Sequence, residues 1–470
     1  MKATKNKIVK ISAVLFAALI AFCAVPDSKV TGRATEPQLT VYSLPVAGVV
    51  FGQLICNSTI YGPDEAELAK AKTDIMNALK DINASVSTTD SSSTLYKFNT
   101  HMSADEFPID YHMHKLLQKA KVFYAESDGI FNPAVLPLLE LWGLDAQNIN
   151  KPSHTLPKYE EVLTTKELCD FDKISFRSEG GKYYASKAPG YEEIKLDFGA
   201  QAKGYACDVI VGICEAYGLT AARVNISGNL YEYKLQPKFA SGVFSGEFVK
   251  WPVGINNPDY ESLNPKYNDP SFAHLLCEDE SIVTSGDYER WYSEKNSEGT
   301  ALHFTHIIDM RTGLPINVKY DETKKTYVQK TDSLRSMTIF DKSSEEADIN
   351  TTVGIVLGFE DGIKYLKDIA DGKGVGYGFV MFDNNPAGRK YAAYGEFEFN
   401  PDYPIAGSYL DYTPVVFDGI KYEFNNTVNI KPPKGNCNSA IGPGSGIALA
   451  VFALLTPFWL LLFKKKKLGV

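Results

Sequence analysis

The stretch 196–208 of this 470-residue chain has residue types suited to binding a phosphate-bearing ligand. It contains Asp197, a small-residue turn at Gly199 and Ala200, and then Lys203 at the start of a predicted helix. Free N–H groups and the helix dipole favour anions at such a position. Lys203 would add a full positive charge suited to phosphate. The alternative is a structural turn followed by a surface lysine, and the spacing alone does not choose between the two.

A second pair of residues offers oxygen ligands for a hard cation. Asp348 and Thr352 lie four positions apart on a predicted helix, so both side chains project from one face. Mg²⁺ is often bound by a few protein oxygens together with substrate phosphates, and a backbone carbonyl from the turn at Ala200 could complete the set. The simpler interpretation of the pair is a solvated helix face.

His306 is the candidate general base. It lies near the end of a predicted strand, beside Asp309. An imidazole titrates close to neutral pH and could take a proton from a substrate hydroxyl. The alternative is a structural histidine that satisfies a backbone group.

Mixed helices and strands must position these residues, and a strand over 193–198 is expected to deliver Asp197 to the turn. Hydrophobic periodicity predicts helices over 64–86, 110–127, 134–142, 201–217, 343–357 and 361–369. It predicts strands over 39–54, 251–256, 281–285, 301–309, 334–340, 375–383 and 391–399, and a hairpin over 221–235. Helices and strands that do not alternate regularly favour an α+β fold with mixed or antiparallel sheets.

Composition excludes some classes of function. The net charge is −9 and the pI is near 5.5, and no basic cluster lies in the body of the chain, which argues against a nucleic-acid partner. No two of the seven cysteines have CxxC spacing, which argues against a zinc or thioredoxin-like site. Cys207 and Cys214 are predicted to be small buried residues.

Both ends of the chain have features of membrane-handling segments. Four lysines precede a short apolar run, as in a secretory signal, with lipidation of Cys23 as a variant. A second apolar run ends at four lysines, which predicts a cytoplasmic end or a processed sorting signal. The predicted order is signal peptide 1–25, linker 26–38, catalytic domain 39–400, extracytoplasmic spacer 401–441, transmembrane or sorting segment 442–463, and basic cytoplasmic tail 464–470.

Several short motifs, in order, resemble those of the ApbE-like family, the FAD:protein FMN transferases. The matching segments are STLYKFN at 93–99, GIFNPAV at 129–135, LDFGAQAKGYACD at 196–208, NISGN at 225–229, TSGDYER at 284–290, HIIDMRTG at 306–313 and ADINTT at 347–352. Each motif alone is weak, but their common order makes the resemblance specific over about residues 41–399.

The resemblance implies an α+β domain that binds FAD and Mg²⁺. It also implies transfer of FMN to a Thr or Ser hydroxyl of an acceptor flavoprotein, with release of AMP. The two terminal segments predict that this acceptor lies outside the cytoplasm. The implied roles are metal binding by Asp348, Thr352 and the Ala200 carbonyl, contact with FAD by Asp197 and Lys203, a nucleotide pocket lined by Ile130, Phe131 and Asn132, a backbone position beside the flavin at Ile308, and proton abstraction by His306.

The chain also departs from the family pattern. Phe51 stands where the family has Met, and Thr89 falls where many members have a Tyr against the ligand; both remain candidate ligand contacts. These departures leave two alternatives to transfer: a Mg²⁺-dependent FAD pyrophosphatase that gives FMN and AMP, and a surface protein that binds flavin without catalysis.

Overall fold

The computed structural model describes residues 39–50, 54–256, 258, 271–373, 378–383, 390–394, 398–399, 413–414, 416–417 and 420–421. The chain divides into two compact units, Met1–Thr40 and Val41–Val470, and the elements given below belong to the second. The predicted signal peptide, linker, transmembrane segment and basic tail lie outside the described residues, as does Phe51. Within the described ranges, no helix has the length and apolar character needed to cross a bilayer.

Two of the longer helices begin at acidic residues that cap them. Asp64 accepts from the N–H groups of Ala66 and Glu67, and Asp110 accepts from that of Met113. The described α-helices are α1 (Glu65–Val86), α2 (Thr94–Thr100), α3 (Tyr111–Glu126), α4 (Leu136–Trp142), α5 (Tyr159–Lys166), α6 (Ala202–Ala216), α7 (Ser344–Leu357) and α8 (Phe359–Lys373). Short 3-10 turns occupy Pro133–Val135 and Phe171–Lys173.

The strands are mostly short and are joined by hairpins. They are β1 (Tyr42–Val50), β2 (Leu54–Gly62), β3 (Phe107–Ile109), β4 (Ile174–Glu179), β5 (Lys182–Lys187), β6 (Ala221–Ile226), β7 (Asn229–Tyr233), β8 (Gln236–Ala240), β9 (Val243–Val249), β10 (Trp251–Asn256), β11 (Ser271–Cys277), β12 (Glu280–Gly286), β13 (Trp291–Lys295), β14 (Ala301–Thr305), β15 (Ile308–Asp309), β16 (Leu314–Pro315), β17 (Val318–Asp321), β18 (Thr326–Gln329), β19 (Leu334–Asp341), β20 (Gly378–Asp383), β21 (Lys390–Tyr394), β22 (Glu398–Phe399), β23 (Thr413–Pro414), β24 (Val416–Phe417) and β25 (Ile420–Lys421).

A nine-stranded sheet organises the unit, in the order β1-β2-β6-β7-β12-β19-β20-β21-β23. All neighbours are antiparallel except β21 and β23. Helices α1, α6 and α7 pack on this sheet, and α6 also packs against α7. The three-stranded sheet β10-β11-β22 shares a separate apolar cluster with the large sheet through Trp251, Ile282 and Phe340. The α+β class with mixed and antiparallel sheets is therefore confirmed.

A third apolar cluster lies around the fully buried Trp142 and supports the hairpin β13–β14. The indole N–H of Trp142 donates to the carbonyl of Gly313 at 2.9 Å, and the hydroxyl of Tyr292 donates to the carbonyl of Trp142 at 2.8 Å. Phe304 stacks on both rings. This cluster fixes the segments on either side of His306.

Three sequence predictions of strands are wrong in informative ways. Residues 39–54 do not form one strand, because β1 ends at Val50 and pairs antiparallel with β2, which begins at Leu54. The strand predicted over 301–309 is interrupted between β14 and β15. Residues 193–198 are not in a strand at all. The predicted helices over 64–86, 110–127, 201–217 and 343–357 are confirmed within one or two residues, as are buried, free Cys207 and Cys214.

Candidate active site

An asparagine side chain, rather than a neighbouring strand, holds the segment that leads to Asp197. The amide of Asn99 donates to the carbonyl of Leu196 at 2.8 Å and accepts from its N–H at 2.7 Å. This pair of bonds replaces the two that a strand partner would supply, which explains why residues 193–198 need no strand. The next N–H, of Asp197, donates to the carbonyl of Pro133 at 2.8 Å, so the segment 129–133 lies beside the turn.

The turn itself is closed by Asp197. Its Oδ1 accepts from the N–H of Gly199 at 2.6 Å, and a Cβ on Gly199 would lie 2.8 Å from that oxygen. Helix α6 begins three residues later at Ala202. The sequence prediction of an acid, a tight turn and a helix start is therefore confirmed, although the role of Asp197 in a ligand site stays a prediction.

Helices α6 and α7 touch at Gly204. A Cβ on Gly204 would lie 2.2 Å from the backbone oxygen of Ser344, so only glycine allows the helices to pack this closely. Asp208, one turn further on, accepts from the hydroxyl of Ser343 at 2.9 Å and from the N–H groups of Ser344 and Glu345 at 2.8 and 3.0 Å. Asp208 thus caps the helix that carries Asp348. The close contact at Gly204 and the capping by Asp208 were not predicted from the sequence, although a glycine and an acid four residues apart on the predicted helix are visible there.

Lys203 and Asp348 meet at this crossing. The Lys203 Nζ lies 3.2 and 3.4 Å from the two carboxylate oxygens of Asp348 and 3.3 Å from the carbonyl of Gly199. The N–H of Gly204 donates to Asp348 Oδ2 at 3.0 Å. The Asp348 side chain is 2% exposed, whereas that of Lys203 is 21% exposed. The ammonium is therefore the accessible part of the pair.

The same bonds leave the carbonyl of Ala200 available. In a regular helix the N–H of Gly204 would donate to it, but here that N–H donates to Asp348 and the bond to Ala200 is not made. The hydroxyl of Thr352 lies one turn along α7 from Asp348, with a long 3.4 Å contact to the Asp348 carbonyl. No cluster of three His, Cys, Asp or Glu occurs in the described ranges.

His306 lies at the break between β14 and β15. Its backbone N–H and its Nδ1 are each 3.1 Å from the carbonyl oxygen of Arg290. Because a carbonyl oxygen only accepts, Nδ1 carries the proton and Nε2 keeps its lone pair. Loss of solvation lowers the pKa of His306 well below its ordinary value of 6.5, and the charges of Arg290 and Lys203 lower it further. This neutral tautomer is the form that a general base needs.

Electrostatics also link His306 to the crossing of the two helices. Lys203 lowers the pKa of His306, although the two residues are far apart in sequence. Burial raises the pKa of Glu289, while Lys203 lowers it and Asp348 raises it. The segment around Glu289 and Arg290 therefore borders the same site. Glu289 lies within the motif at 284–290, but it is not among the site residues predicted from the sequence.

An ion pair fixes the loop after His306. Asp309 Oδ1 accepts from the N–H of Arg311 at 3.0 Å and from its Nε at 2.9 Å, and Oδ2 accepts from its Nη2 at 2.9 Å. The same Nη2 donates to the carbonyl of Val356 at the end of α7, at 3.1 Å. Asp309 and Arg311 therefore anchor the loop to the helix that carries Asp348.

The remaining predicted site residues that the structure describes differ in exposure. Ile130 and Phe131 are buried in the core, and Ile308 is buried and pairs with Pro315. The side chain of Asn132 caps a 3-10 turn and donates to the carbonyl of Cys169 at 2.7 Å. A ligand could reach these positions mainly through their backbone groups.

Thr89 lies apart from that group, at an exposed position in the loop after α1. Its described hydrogen bonds are to the Ser87 hydroxyl, at 3.3 and 3.4 Å. The structure therefore brings together Asp197, Lys203 and Asp348 through hydrogen bonds that also involve the Gly199 turn, but no described bond joins Thr89 to them.

Comparison with known proteins identifies the family of this chain. The model of the ApbE family matches residues 51–374, more than two thirds of the chain, and the chain belongs to that family. A FAD:protein FMN transferase of Treponema pallidum (strain Nichols) is 28% identical over 326 residues, which is 68% of this chain and 81% of the relative. The transferase of Vibrio cholerae serotype O1 is 25% identical over 319 residues, 68% of this chain and 82% of the relative.

Solved structures agree on the fold. The structure titled Flavin Transferase ApbE from Vibrio cholerae covers 75% of this chain and 97% of its own, with a TM-score of 0.58 and 23% sequence identity. At that identity the likeness shows the fold alone.

Proposed function

We propose that this protein is an FAD:protein FMN transferase, which moves FMN from FAD to a Thr or Ser hydroxyl of an acceptor flavoprotein and releases AMP. The observation that carries the proposal is the placement of the Lys203–Asp348 pair within electrostatic reach of His306, a neutral imidazole with a free Nε2. Membership of the ApbE family and the relatives named FAD:protein FMN transferase support it.

The reaction is a displacement at phosphorus. The acceptor oxygen forms a new bond to the phosphorus of the FMN half, while the P–O–P bond to the AMP half breaks. The acceptor proton passes to His306 Nε2, and AMP leaves with the bridging oxygen. The imidazolium then returns the proton to solvent, so FAD and a protein hydroxyl give an FMN ester, AMP and one proton. A hydroxyl attacks poorly without such a base.

The lowered pKa of His306 suits this cycle. It keeps Nε2 unprotonated at neutral pH, so the base is available in nearly every molecule. It also makes the imidazolium a strong acid that gives up its proton readily. The lowered pKa also reduces the driving force for proton transfer from the acceptor hydroxyl to His306. This reduction is acceptable when the attacking oxygen loses its proton late in the displacement.

The residues at the crossing fit a Mg²⁺ ion with the substrate diphosphate. The Ala200 carbonyl, the Asp348 carboxylate and the Thr352 hydroxyl would hold the ion. All are hard oxygen donors. The contacts of 3.2 and 3.4 Å between Lys203 and Asp348 exceed the ~2.7–2.9 Å of a tight ion pair, so the carboxylate can take another partner. The ion would neutralise charge on the diphosphate, and the Lys203 ammonium would bind the same group.

The other FAD contacts are proposed from the elements that border this centre. One hydrogen bond, from the Asp197 N–H to the Pro133 carbonyl, joins the turn to the segment that precedes Pro133. It supports FAD contacts by Asp197 and by the backbone of Ile130, Phe131 and Asn132. The Ile308 backbone follows His306 and would lie beside the flavin. Thr89 and Phe51 are proposed as outer contacts.

We also propose where the catalytic unit lies in the chain and in the cell. The unit would span 39–400, around the family match at 51–374. The segments 1–25 and 442–470 would export it and anchor it to a membrane, with 26–38 as linker and 401–441 as spacer, so that it acts on flavoproteins outside the cytoplasm. The apolar runs and flanking lysines of the two ends support this placement.

The test uses the purified full-length protein with FAD, Mg²⁺ and an acceptor protein. The acceptor contains a Ser-Gly-Ala-Thr sequence, which has the Ser/Thr-Gly-Ala-Ser/Thr form expected of acceptors from the family resemblance. AMP together with a fluorescent covalent band on the acceptor supports transfer. AMP without the band refutes transfer and supports a pyrophosphatase, and FAD binding without AMP leaves a flavin-binding protein. His306→Ala should stop transfer and retain FAD binding, whereas Asp348→Ala should abolish metal-dependent turnover.

A further inference from the structure

Strand β13 is an edge strand that begins beside His306. It pairs with β14 in a two-stranded sheet, with Trp291 opposite Thr305 and Lys295 opposite Ala301. No other described strand pairs with it. The residue before the strand, Arg290, holds both the backbone N–H and the Nδ1 of His306. The imidazole ring is therefore directed toward Arg290, the residue that precedes β13.

The hydrogen-bond pattern shows which backbone groups face outward. The bond from the N–H of His306 to the carbonyl of Arg290 makes these two residues a hydrogen-bonded pair. Such pairs alternate along an antiparallel ladder, so Tyr292 is also bonded to β14, whereas the N–H and C=O groups of Trp291 and Ser293 point to the open edge. Two alternate residues of β13 therefore have outward-facing backbone groups, and the first of them, Trp291, follows the residue that is bonded to the candidate base.

The side chain of Trp291 is held firmly on this edge. It is 48% exposed and stacks on His303, with ring centroids 4.5 Å apart and an angle of 25° between the planes. The His303 Nε2 lies 3.2 Å from the carbonyl of Asp287, whose buried carboxylate is bonded to Arg335. A large aromatic side chain fixed at the surface beside an open edge is typical of a binding surface.

We propose that the open edge of β13 binds the acceptor protein, with the segment around its reactive Thr or Ser added as an extended strand. This inference rests on the proposed transfer. The acceptor hydroxyl must reach His306 Nε2, and an added strand would place alternate side chains on the face of His306 and Arg290. The flanking residues would then pack against Trp291. Natural edge strands are usually protected against such pairing. Here the charged residues lie at the far end, where Lys295 is exposed and Glu294 accepts from the N–H groups of Lys295 and His154 at 3.0 and 3.2 Å.

Ser293→Pro tests the edge directly. Proline removes the outward N–H of Ser293 without removing a bond to β14, so the hairpin is retained. Ser293→Ala is the matched control, because it keeps the N–H. We expect Ser293→Pro and Trp291→Ala each to raise KM for the acceptor roughly tenfold, with FAD affinity and Tm close to wild type. Ser293→Ala should behave as wild type. A KM unchanged in both Ser293→Pro and Trp291→Ala overturns the docking proposal while transfer stands.

A binding measurement separates docking from transfer. Fluorescence anisotropy of a labelled peptide containing Ser-Gly-Ala-Thr should show binding to the wild-type protein and about tenfold weaker binding to Ser293→Pro. Binding without any transfer by the wild-type protein refutes the proposed function and leaves docking supported. Docking is overturned if the wild-type protein does not bind the peptide. It is also overturned if the wild-type protein forms a dimer that Ser293→Pro dissociates while peptide binding is unchanged.

Discussion

Replacing Gly204 by alanine should separate the two helices that form the candidate metal site. The new Cβ would lie 2.2 Å from the carbonyl oxygen of Ser344 and 2.7 Å from the Cα of Glu345, both backbone atoms of α7. Ordinary contact begins at 3.4 Å, so the helices would have to part by roughly 1 Å, and overpacking of this kind costs about 1–3 kcal/mol. Each kcal/mol lowers Tm by roughly 2–4 °C in domains of about 150–250 residues, and by less in a larger unit such as this one.

The same displacement should reduce catalysis more than stability. It would break the 3.0 Å bond from the Gly204 N–H to Asp348 and move Asp348 away from Lys203. A displacement of about 1 Å at a catalytic centre can reduce the rate roughly 100-fold. We therefore expect Gly204→Ala to remain folded and to lose FMN transfer by about that factor, measured by the rate of AMP release with saturating acceptor.

Gly212→Ala is the matched control on the same helix. Gly212 is exposed, and a Cβ there would meet no atom within 4 Å. Alanine in a helix interior is favoured over glycine by roughly 0.5–1 kcal/mol, so this variant should be slightly more stable and fully active. Wild-type rate and Tm in Gly204→Ala would refute the claim that this contact sets the position of Asp348.

Other changes give distinct signatures. The pKa of His306 is lowered, so the transfer rate should stay level as pH falls through 6.5 and decline only below it; a midpoint at 6.5 or above would contradict the account. Lys203→Met should raise KM for FAD, since a neutral side chain cannot bind the diphosphate. It should also move the decline of the rate to higher pH, because the charge of Lys203 no longer lowers the pKa of His306. Burial raises the pKa of Glu345 from 4.5 to about 7, so the folded state binds the extra proton between these values and stability falls as pH rises through that window. Glu345→Gln keeps an oxygen that can accept from Gln201 and should remove about 3 kcal/mol of this decline, seen as a flatter plot of Tm against pH.

The elements predicted best from sequence are those with local signals. Helices α1, α3 and α7 have polar caps at Asp64, Asp110 and Ser343 together with apolar periodicity, and all three are present within two residues of the predicted bounds. The hairpin turn at Ser227 and Gly228 is also present, and both residues have positive φ. Local backbone chemistry determines such features.

The features that sequence missed depend on distant partners. A strand was predicted over 193–198 because its residues alternate, but Asn99, almost a hundred residues earlier, supplies the hydrogen bonds there. The capping of α7 by Asp208 and the anchoring of its far end by Arg311 also join segments far apart in sequence. Only the common order of the motifs indicated that these segments would meet.

The most direct test of the central claim is a time course that follows two products from full-length protein, FAD, Mg²⁺ and acceptor. AMP and the flavin ester on the acceptor Thr or Ser, the latter located by mass spectrometry, should appear in equal amounts. His306→Ala should lose both while still binding FAD. AMP in excess of ester from the start, or ester formed at the wild-type rate by His306→Ala, would contradict transfer through this base.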